Sequence, residues 1–535
     1  MKRILKRITV WFCLAVSASL SFGQGNSKIA SDLAGLLNGL LGPVNVVIQY
    51  NARPGLAQLL ELTALGGTVT HQYSSIPAIS VTLPAGGVLG VLLDPLVSFI
   101  SLDRQVAGTL DLTTAASGAN YAFQSGYTGA GVGIAILDSG IYNHPDLAGR
   151  VVYRQSFVKS TNLDDYGHGT HVAGIAAGDG AASGGLYRGV APGAHLIDLR
   201  ILDANGMSSD SVVMAAIDRA IALKSQYNIR VINLSIGRPI YESYALDPLC
   251  AAVTAAWKQG IVVVTAAGNL GRNGYATITS PGNDPYAITV GAMKTEGTPQ
   301  RSDDLIASYS SKGPTWIDFE AKPDIVAPGN LVHSLLAPGS TLAKEFPANI
   351  SSPNYIQLSG TSMATPVVSG AAAILLQQNP SLSPDTIKAR LMKTASKTFP
   401  LTSIAVDPTT GQVYPSTYDI FTVGAGYVDI QAALYNRDSA SGLAASPTVY
   451  WNPLLSTAML LKPSSSTWDN NVWSLSNVWG QQVVQSTIGG SSAAWGTAAA
   501  WGSSAAWGTS AAWGTSAAWG TSAAWGTNIS GTGEN

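Results

Sequence analysis

Two hydrophobic patterns divide the chain. Between residues 24 and about 105 the apolar runs are short. Val44 to Tyr50, Thr68 to Tyr73, Ala78 to Leu83 and Val97 to Leu102 read as strands, and Leu56 to Leu65 and Gly87 to Leu93 as helices. The order β-α-β-β-α-β predicts a small α+β plait of the ferredoxin-like kind. From about 120 to 437, compact apolar runs alternate with longer helical repeats. Gly133 to Leu137, Leu196 to Leu202, Arg230 to Leu234 and Ile261 to Val264 predict strands; Ser211 to Gln226 and Leu249 to Gln259 predict helices. That alternation predicts an α/β fold, doubly wound on a mainly parallel sheet. Groups that act in such folds gather beyond the carboxyl ends of the strands. Asp138 and Asn269 each stand just past an apolar run.

The ends follow neither pattern. Lys2, Arg3, Lys6 and Arg7 precede a mostly apolar run from Ile8 to Leu20, and Ser21 and Gly23 supply small residues for cleavage. Residues 1–23 therefore read as a secretory signal, too short to span a bilayer. No later stretch has the length of a span, so the expectation is an exported, extracellular protein. Ala107 to Ala119 is a small-residue, polar linker. Residues 438–490, rich in Ser and Asn, read as a linker or weakly structured module. In 491–535, Trp495, Trp501, Trp507, Trp513, Trp519 and Trp525 recur in SAAWGT-like units, and Ala493 to Thr527 carries no charge. This reads as a low-complexity tail. The resulting division is 1–23, 24–112, 113–437, 438–490 and 491–535.

Composition narrows the function classes. Hydrophobic residues make up 46% of the 535 and permit a sizeable core. Charged residues are 11%, and 29 basic against 31 acidic side chains leave no basic excess for nucleic acid. With Cys13 in the leader, Cys250 is left as a lone thiol, read as a small buried residue rather than a nucleophile.

Four segments carry chemistry: Ile136 to Gly140 (ILDSG), Gly167 to Gly174 (GHGTHVAG), Ala266 to Asn269 (AAGN) and Ser359 to Pro366 (SGTSMATP). A serine hydroxyl needs a base within hydrogen-bond reach, and the base needs a partner that holds its tautomer. Pro366, taken as lying in a first helical turn, places Ser362 at a helix N-terminus, where N–H groups favour a developing oxyanion. Gly167 and Gly169 are expected to leave the His168 imidazole uncrowded. Singly, an Asp after a strand reads as a cap and a His as structural; the joint pattern overturns this. His171, one turn beyond His168, reads as structural. No HExxH zinc pattern is present.

In residues and in order, these segments resemble those of the subtilisin-like serine peptidases, the subtilases, across about 120–437. The resemblance implies a secreted serine endopeptidase made as a zymogen that processes itself. Ser362 would be the nucleophile, His168 the base and then acid, Asp138 its orienting partner and Asn269 an oxyanion donor. Ser235, Ile236 and Gly237 would pair with substrate and form one wall of a pocket; Ala266, Ala267 and Gly268 would form the other. Arg238 replaces the commoner second glycine and is expected to point to solvent, leaving an open pocket that accepts Phe or Leu. No cofactor is required for the chemistry. Asp146 matches one family calcium position, but Gly178 to Leu186 lacks the usual Asn-bearing loop, so no metal site is assigned. Residues 24–112 would be an inhibitory propeptide, cut between about 104 and 120. The partners implied are protein or peptide substrates and the chain's own propeptide, with no nucleic acid and no membrane span. Two other readings stay open: a secreted adhesion protein binding through its Trp-rich tail, and a transpeptidase on the same scaffold.

Overall fold

The computed structural model describes residues 42–480 apart from 74–76, 103–111, 160–161, 408–410, 453–456, 463–465 and 470, together with 28–30, 33, 37 and 534. The expected signal, much of the linker and the Trp repeat lie outside the described residues. The chain forms two units, Met1–Gly108 and Thr109–Asn535.

In the first unit, β1 (Pro43–Tyr50), α1 (Leu56–Ala64), β2 (Thr68–Gln72), β3 (Ala78–Pro84), α2 (Ala85–Val91) and β4 (Val97–Leu102) follow one another. The four strands form one antiparallel sheet in the order β2-β3-β1-β4. Val44, Val46, Ile48 and Tyr50 are buried while the residues between them are not. That period of two turns one face of β1 to the core. Leu62, Val81, Leu83, Val88 and Ile100 complete this core.

The second unit is built on β5 (Gly133–Asp138), β6 (Val151–Ser156), α3 (His168–Ala177), β7 (His195–Arg200), α4 (Asp210–Leu223), β8 (Ile229–Leu234), α5 (Pro248–Lys258), β9 (Val262–Ala266), β10 (Ile288–Lys294), β11 (Leu305–Ile306) and β12 (Ile325–Pro328). Its sheet runs β11-β10-β9-β8-β5-β7-β6, with β12 also on β10. Every neighbouring pair is parallel except β10–β11. Every residue of β5, β9 and β10 is buried, as expected of a parallel sheet covered on both faces. The winding reverses beside β5, and the carboxyl ends of β5, β8 and β9 deliver Asp138, Ser235 and Asn269 to one edge. A smaller sheet of β13 (Val332–Leu335), β14 (Ile350–Ser352) and β15 (Tyr355–Leu358) precedes α6 (Thr361–Gln378), which is followed by α7 (Pro384–Thr394). Helix α6 is buried from Thr361 to Leu376 and packs on α3, β8, β9 and β10.

The segment after 437 differs from the loose module read from its sequence. A hairpin of β16 (Thr448–Asn452) and β17 (Thr457–Leu461) and a short α8 (Leu475–Trp479) belong to the second unit. Trp468, Trp473 and Trp479 are buried in the same core as the large sheet. The indole N–H of Trp468 donates to Ala445 O (2.7 Å), and that of Trp473 to Ser439 O (3.2 Å). Large rings that bury their area and satisfy their N–H stabilise a fold without any regular period, so no pattern announced them. Ser446 ties this segment to a buried charge cluster. Its hydroxyl donates to Asp324 Oδ1 (2.6 Å), while Lys322 Nζ reaches Asp324 Oδ2 (2.7 Å) and Lys388 Nζ reaches Oδ1 (3.1 Å).

Candidate active site

Asp138 ends β5 and His168 begins α3. The His168 Nδ1 lies 2.8 Å from Asp138 Oδ1, and neither side chain is exposed. A carboxylate only accepts, so Nδ1 carries the proton and Nε2 presents its lone pair. Nε2 has no hydrogen-bond partner among the described residues, nor has Asp138 Oδ2. The pair is held by a residue the sequence reading missed. Asp164 Oδ1 accepts from Gly167 N (2.7 Å) and Ser139 Oγ (2.8 Å); its Oδ2 accepts from Thr170 N (2.9 Å). This carboxylate caps α3 from outside the helix, a favourable place for negative charge. Burial raises its pKa, and its donors oppose that rise. The available signal was an acidic residue just before a helix start. Gly169 has a different role from the one expected. A Cβ there would meet Gly140 N at 3.0 Å and Asp138 Cβ at 3.1 Å, so the missing side chain lets α3 press against the Asp138 turn.

Ser362 is the second residue of α6, after Gly360 at the N-cap. Its hydroxyl donates to Ser235 O (3.0 Å), so the structure does not join it to His168 by a hydrogen bond. In return the Ser235 hydroxyl donates to Ser362 O (2.9 Å). Pro366 explains this exchange and corrects the sequence reading. It stands sixth in α6, beyond the first turn, and has no N–H for the carbonyl four residues earlier, that of Ser362. Ser235 supplies the missing donor. Ser235 Oγ in turn accepts from Asn233 Nδ2 (2.9 Å), and Asn233 Oδ1 accepts from Ser369 Oγ (2.8 Å). Asn233 and Ser369 were missed; an Asn within the apolar run RVINL was the available signal, because a buried amide must be satisfied. Asn269 Oδ1 accepts from Thr361 N (2.9 Å) and Thr361 Oγ1 (3.0 Å). Its Nδ2 faces Gly360, 3.3 Å from where a Cβ would stand.

A buried Asp–His pair, a serine on a helix N-terminus and an amide beside it meet at one sheet edge. The model of the subtilase family matches residues 129–419, more than half of the chain. The chain belongs to the subtilase family. It is 42% identical over 311 residues to the serine protease AprX of Bacillus subtilis (strain 168), covering 56% of this chain and 69% of that one. It is 37% identical over 355 residues to an alkaline protease of Shouchella clausii (65% and 82%) and 36% identical over 339 residues to subtilisin E of Bacillus subtilis (strain 168) (62% and 78%). This subtilase is thus a serine-type endopeptidase, and its substrates are proteins. No helix among its described residues is long and apolar enough to cross a membrane.

The two expected walls are joined in this subtilase by a segment the sequence reading overlooked. Thr279 N donates to Ala267 O (3.0 Å), and Ser280 exchanges two backbone hydrogen bonds with Arg238 (2.8 and 2.9 Å). The Thr279 side chain lies against both Gly237 and Gly268; a Cβ on Gly268 would meet its Cγ2 at 2.8 Å. Arg238 does not point to solvent. It is buried, with Nη2 2.8 Å from Asp247 Oδ1 and Nε 3.1 Å from Asp210 Oδ1; Glu242 lies 3.4 Å away. These carboxylates come from the starts of α4 and α5 and from the loop between them, distances in sequence that hid the cluster.

His171 is buried, with Nε2 3.1 Å from both Val332 O and Ile356 O on β13 and β15. Desolvation, then the neighbouring His168, lowers its pKa to about 3. Cys250 is buried on α5, and burial pushes its thiol far up, so it is no nucleophile. Asp146 does not fit a cation site. Its Oδ1 accepts from Ala182 N (2.7 Å) and its Oδ2 from Tyr355 Oη (2.6 Å). Among the described residues no group of three or more His, Cys, Asp or Glu side chains is placed to hold a metal.

Proposed function

We propose that Ser362, His168 and Asp138 are the catalytic triad of this endopeptidase and that Asn269 donates to the oxyanion. One observation carries the reading: a buried Asp138–His168 hydrogen bond of 2.8 Å that leaves Nε2 without a partner among the described residues. In the reaction Ser362 Oγ would turn from Ser235 O toward His168 Nε2. As Oγ attacks the scissile carbonyl, its proton passes to Nε2, and the Asp138 carboxylate stabilises the imidazolium. The carbonyl oxygen becomes an oxyanion facing Asn269 Nδ2 and the Ser362 N–H, which has no intrahelical partner at that position. His168 then gives its proton to the leaving amine as the C–N bond breaks, leaving an ester on Ser362. Water attacks the ester, with His168 taking its proton, and the acid product and the free serine result.

The substrate would lie extended beside Ser235, Ile236 and Gly237 as an added strand. Its side chain before the scissile bond would enter between those residues and Ala266, Ala267 and Gly268. Thr279 narrows this space, and Arg238, already neutralised by its carboxylates, brings no free charge to it. Small and mid-sized apolar residues therefore fit better than the Phe first expected. A peptide library should show this, and Thr279→Gly should raise cleavage after Phe about tenfold relative to wild type, the scale of a few methylenes of pocket. Strict cleavage after Lys or Arg would refute the pocket.

Residues 1–23 would direct export and 24–112 would act as the inhibitory propeptide, removed by Ser362 between about 104 and 120. A Ser362→Ala precursor should stay uncut when expressed pure. A fluorophosphonate probe, with casein hydrolysis beside it, tests the triad itself. Labelling at Ser362 that disappears in His168→Ala is expected; labelling of another residue overturns the assignment.

A further inference from the structure

Glu534 lies far outside the span matched by the family, yet it is 5% exposed. Its carboxylate Oε1 accepts from Arg272 Nη2 (2.9 Å) and from the Ser308 hydroxyl, and its Oε2 accepts from Ser308 N (2.9 Å). Its main chain is read as well. Asn330 Oδ1 accepts from Glu534 N (3.1 Å), and Asn330 Nδ2 donates to Glu534 O (2.9 Å). Ser308 and Asn330 are buried, and the Arg272 guanidinium is fixed over the Tyr414 ring, 4.5 Å from its centroid, with Asp407 3.3 Å away. A fork of charged and backbone donors closing on a buried carboxylate selects an acid over its neutral analogue. A side-chain amide paired with the N–H and C=O of one residue selects an extended backbone there.

The pocket is wired to the catalytic edge. Arg272 sits in the turn Gly271–Asn273, three residues after Asn269, and Gly271 N donates to Tyr309 O (2.8 Å). Tyr309 Oη donates to Gly329 O (3.0 Å), and Gly360 N donates to the same oxygen (2.8 Å). Asn330 is thus one residue from the carbonyl that holds the turn leading into Ser362.

We propose that Arg272, Ser308 and Asn330 form a receptor for an acidic residue of an extended peptide, filled in the intact chain by the protein's own Glu534. A tethered ligand competes with any free one through its effective concentration.

The test is binding, so it stands or falls separately from the catalytic reading. The full chain carrying Ser362→Ala is compared with the same chain carrying Glu534→Ala as well. The probe is a fluorescein-labelled synthetic peptide of residues 528–535, followed by anisotropy. The chain lacking Glu534 should bind the probe at least tenfold more tightly than the chain that keeps it. A probe with its glutamate changed to glutamine should bind at least tenfold more weakly, and Arg272→Ala in the emptied chain should weaken the original probe as much. The change in the peptide leaves the protein untouched, so a folding defect cannot imitate it. Equal binding to both chains, no binding to the emptied chain at millimolar peptide, or indifference to the glutamine probe would each overturn the proposal.

Discussion

Two of the clusters of buried charge in the second unit are finished differently. Around Asp324, both carboxylate oxygens are engaged by Lys322, Lys388 and Ser446, and Lys388 also donates to Pro285 O (2.7 Å) and Ala287 O (2.9 Å). At the sheet edge, Asp138 Oδ2 and His168 Nε2 have no partners among the described residues. A buried polar atom without a partner is unfavourable by about 1–3 kcal/mol, so a fold built only for stability would remove it. The saturated cluster joins the segment after 437 to the core. The unsaturated one leaves a lone pair on His168 Nε2 that the proposed mechanism would use to take a proton. Burial and charge alone do not separate structure from chemistry, and neither does an unpaired atom by itself, since Asp304, Glu320 Oε2 and His171 Nδ1 also lack partners among the described residues; what sets Asp138 and His168 apart is that their unpaired atoms stand at the sheet edge beside Ser362 and Asn269.

The comparison can be broken most severely at the unsaturated cluster. Ser362→Ala or His168→Ala should lower kcat by a factor on the order of 10⁶ with little change in KM or stability, the size of loss that corresponding changes have in subtilisin. Steady-state kinetics beside thermal melting would check it, and a large loss of stability with modest loss of kcat would erase the distinction. Asp324→Ala should do the reverse. It strands two buried ammonium groups and should lower unfolding free energy by about 3–5 kcal/mol, with kcat per folded molecule unchanged. Denaturant titration with active-site counting measures both. Asn269→Ala tests a residue that serves both needs, since its Oδ1 holds Thr361 while its Nδ2 faces Gly360. Its kcat should fall about 100–1000-fold, the range known for the oxyanion amide of subtilisin, with KM nearly constant. A loss confined to KM would reassign Asn269 to positioning.

The residues of the proposed catalytic edge were named before any coordinates. His168 and Ser362 lie in long motifs and Asp138 and Asn269 in short ones just past apolar runs, and the strands under them are uniform apolar runs. What escaped has a common physical cause. Asp164, Asn233, Thr279 and Ser369 act through individual side-chain hydrogen bonds and contacts, some local (Gly167 and Thr170 to Asp164, Asn233 to Ser235) and some between residues far apart in sequence, and no periodicity encodes either kind. Arg238 was read from its neighbour Gly237 alone, whereas Asp210 and Asp247 decide where it points. Pro366 was recognised as a feature of the helix but placed a turn too early. Its position governs which carbonyl loses a donor, and so makes Ser235 a support for Ser362 as well as a wall. Trp468, Trp473 and Trp479 were read as part of a loose segment because large rings stabilise by area rather than by spacing.

The two histidines of GHGTHVAG carry the comparison down to single side chains. Each keeps one ring nitrogen without a partner among the described residues, Nε2 in His168 and Nδ1 in His171, but His171 Nε2 lies within reach of two carbonyls in a site where desolvation, then the neighbouring His168, lowers its pKa to about 3. In the unfolded chain a histidine protonates near pH 6.5. Between pH 6.5 and about 3 the unfolded state therefore binds a proton that the native state refuses. Stability from this residue is complete above pH 6.5 and falls as the pH is lowered, by at most about 1.4 kcal/mol per unit. His171→Gln keeps an amide donor for the carbonyls of β13 and β15 but cannot be charged. In a Ser362→Ala background, which prevents self-digestion, urea midpoints between pH 7 and pH 4 should fall less steeply for His171→Gln than for the parent. Parallel profiles would show that acid sensitivity lies elsewhere, and a steeper one would mean that His171 is protonated in the native state after all.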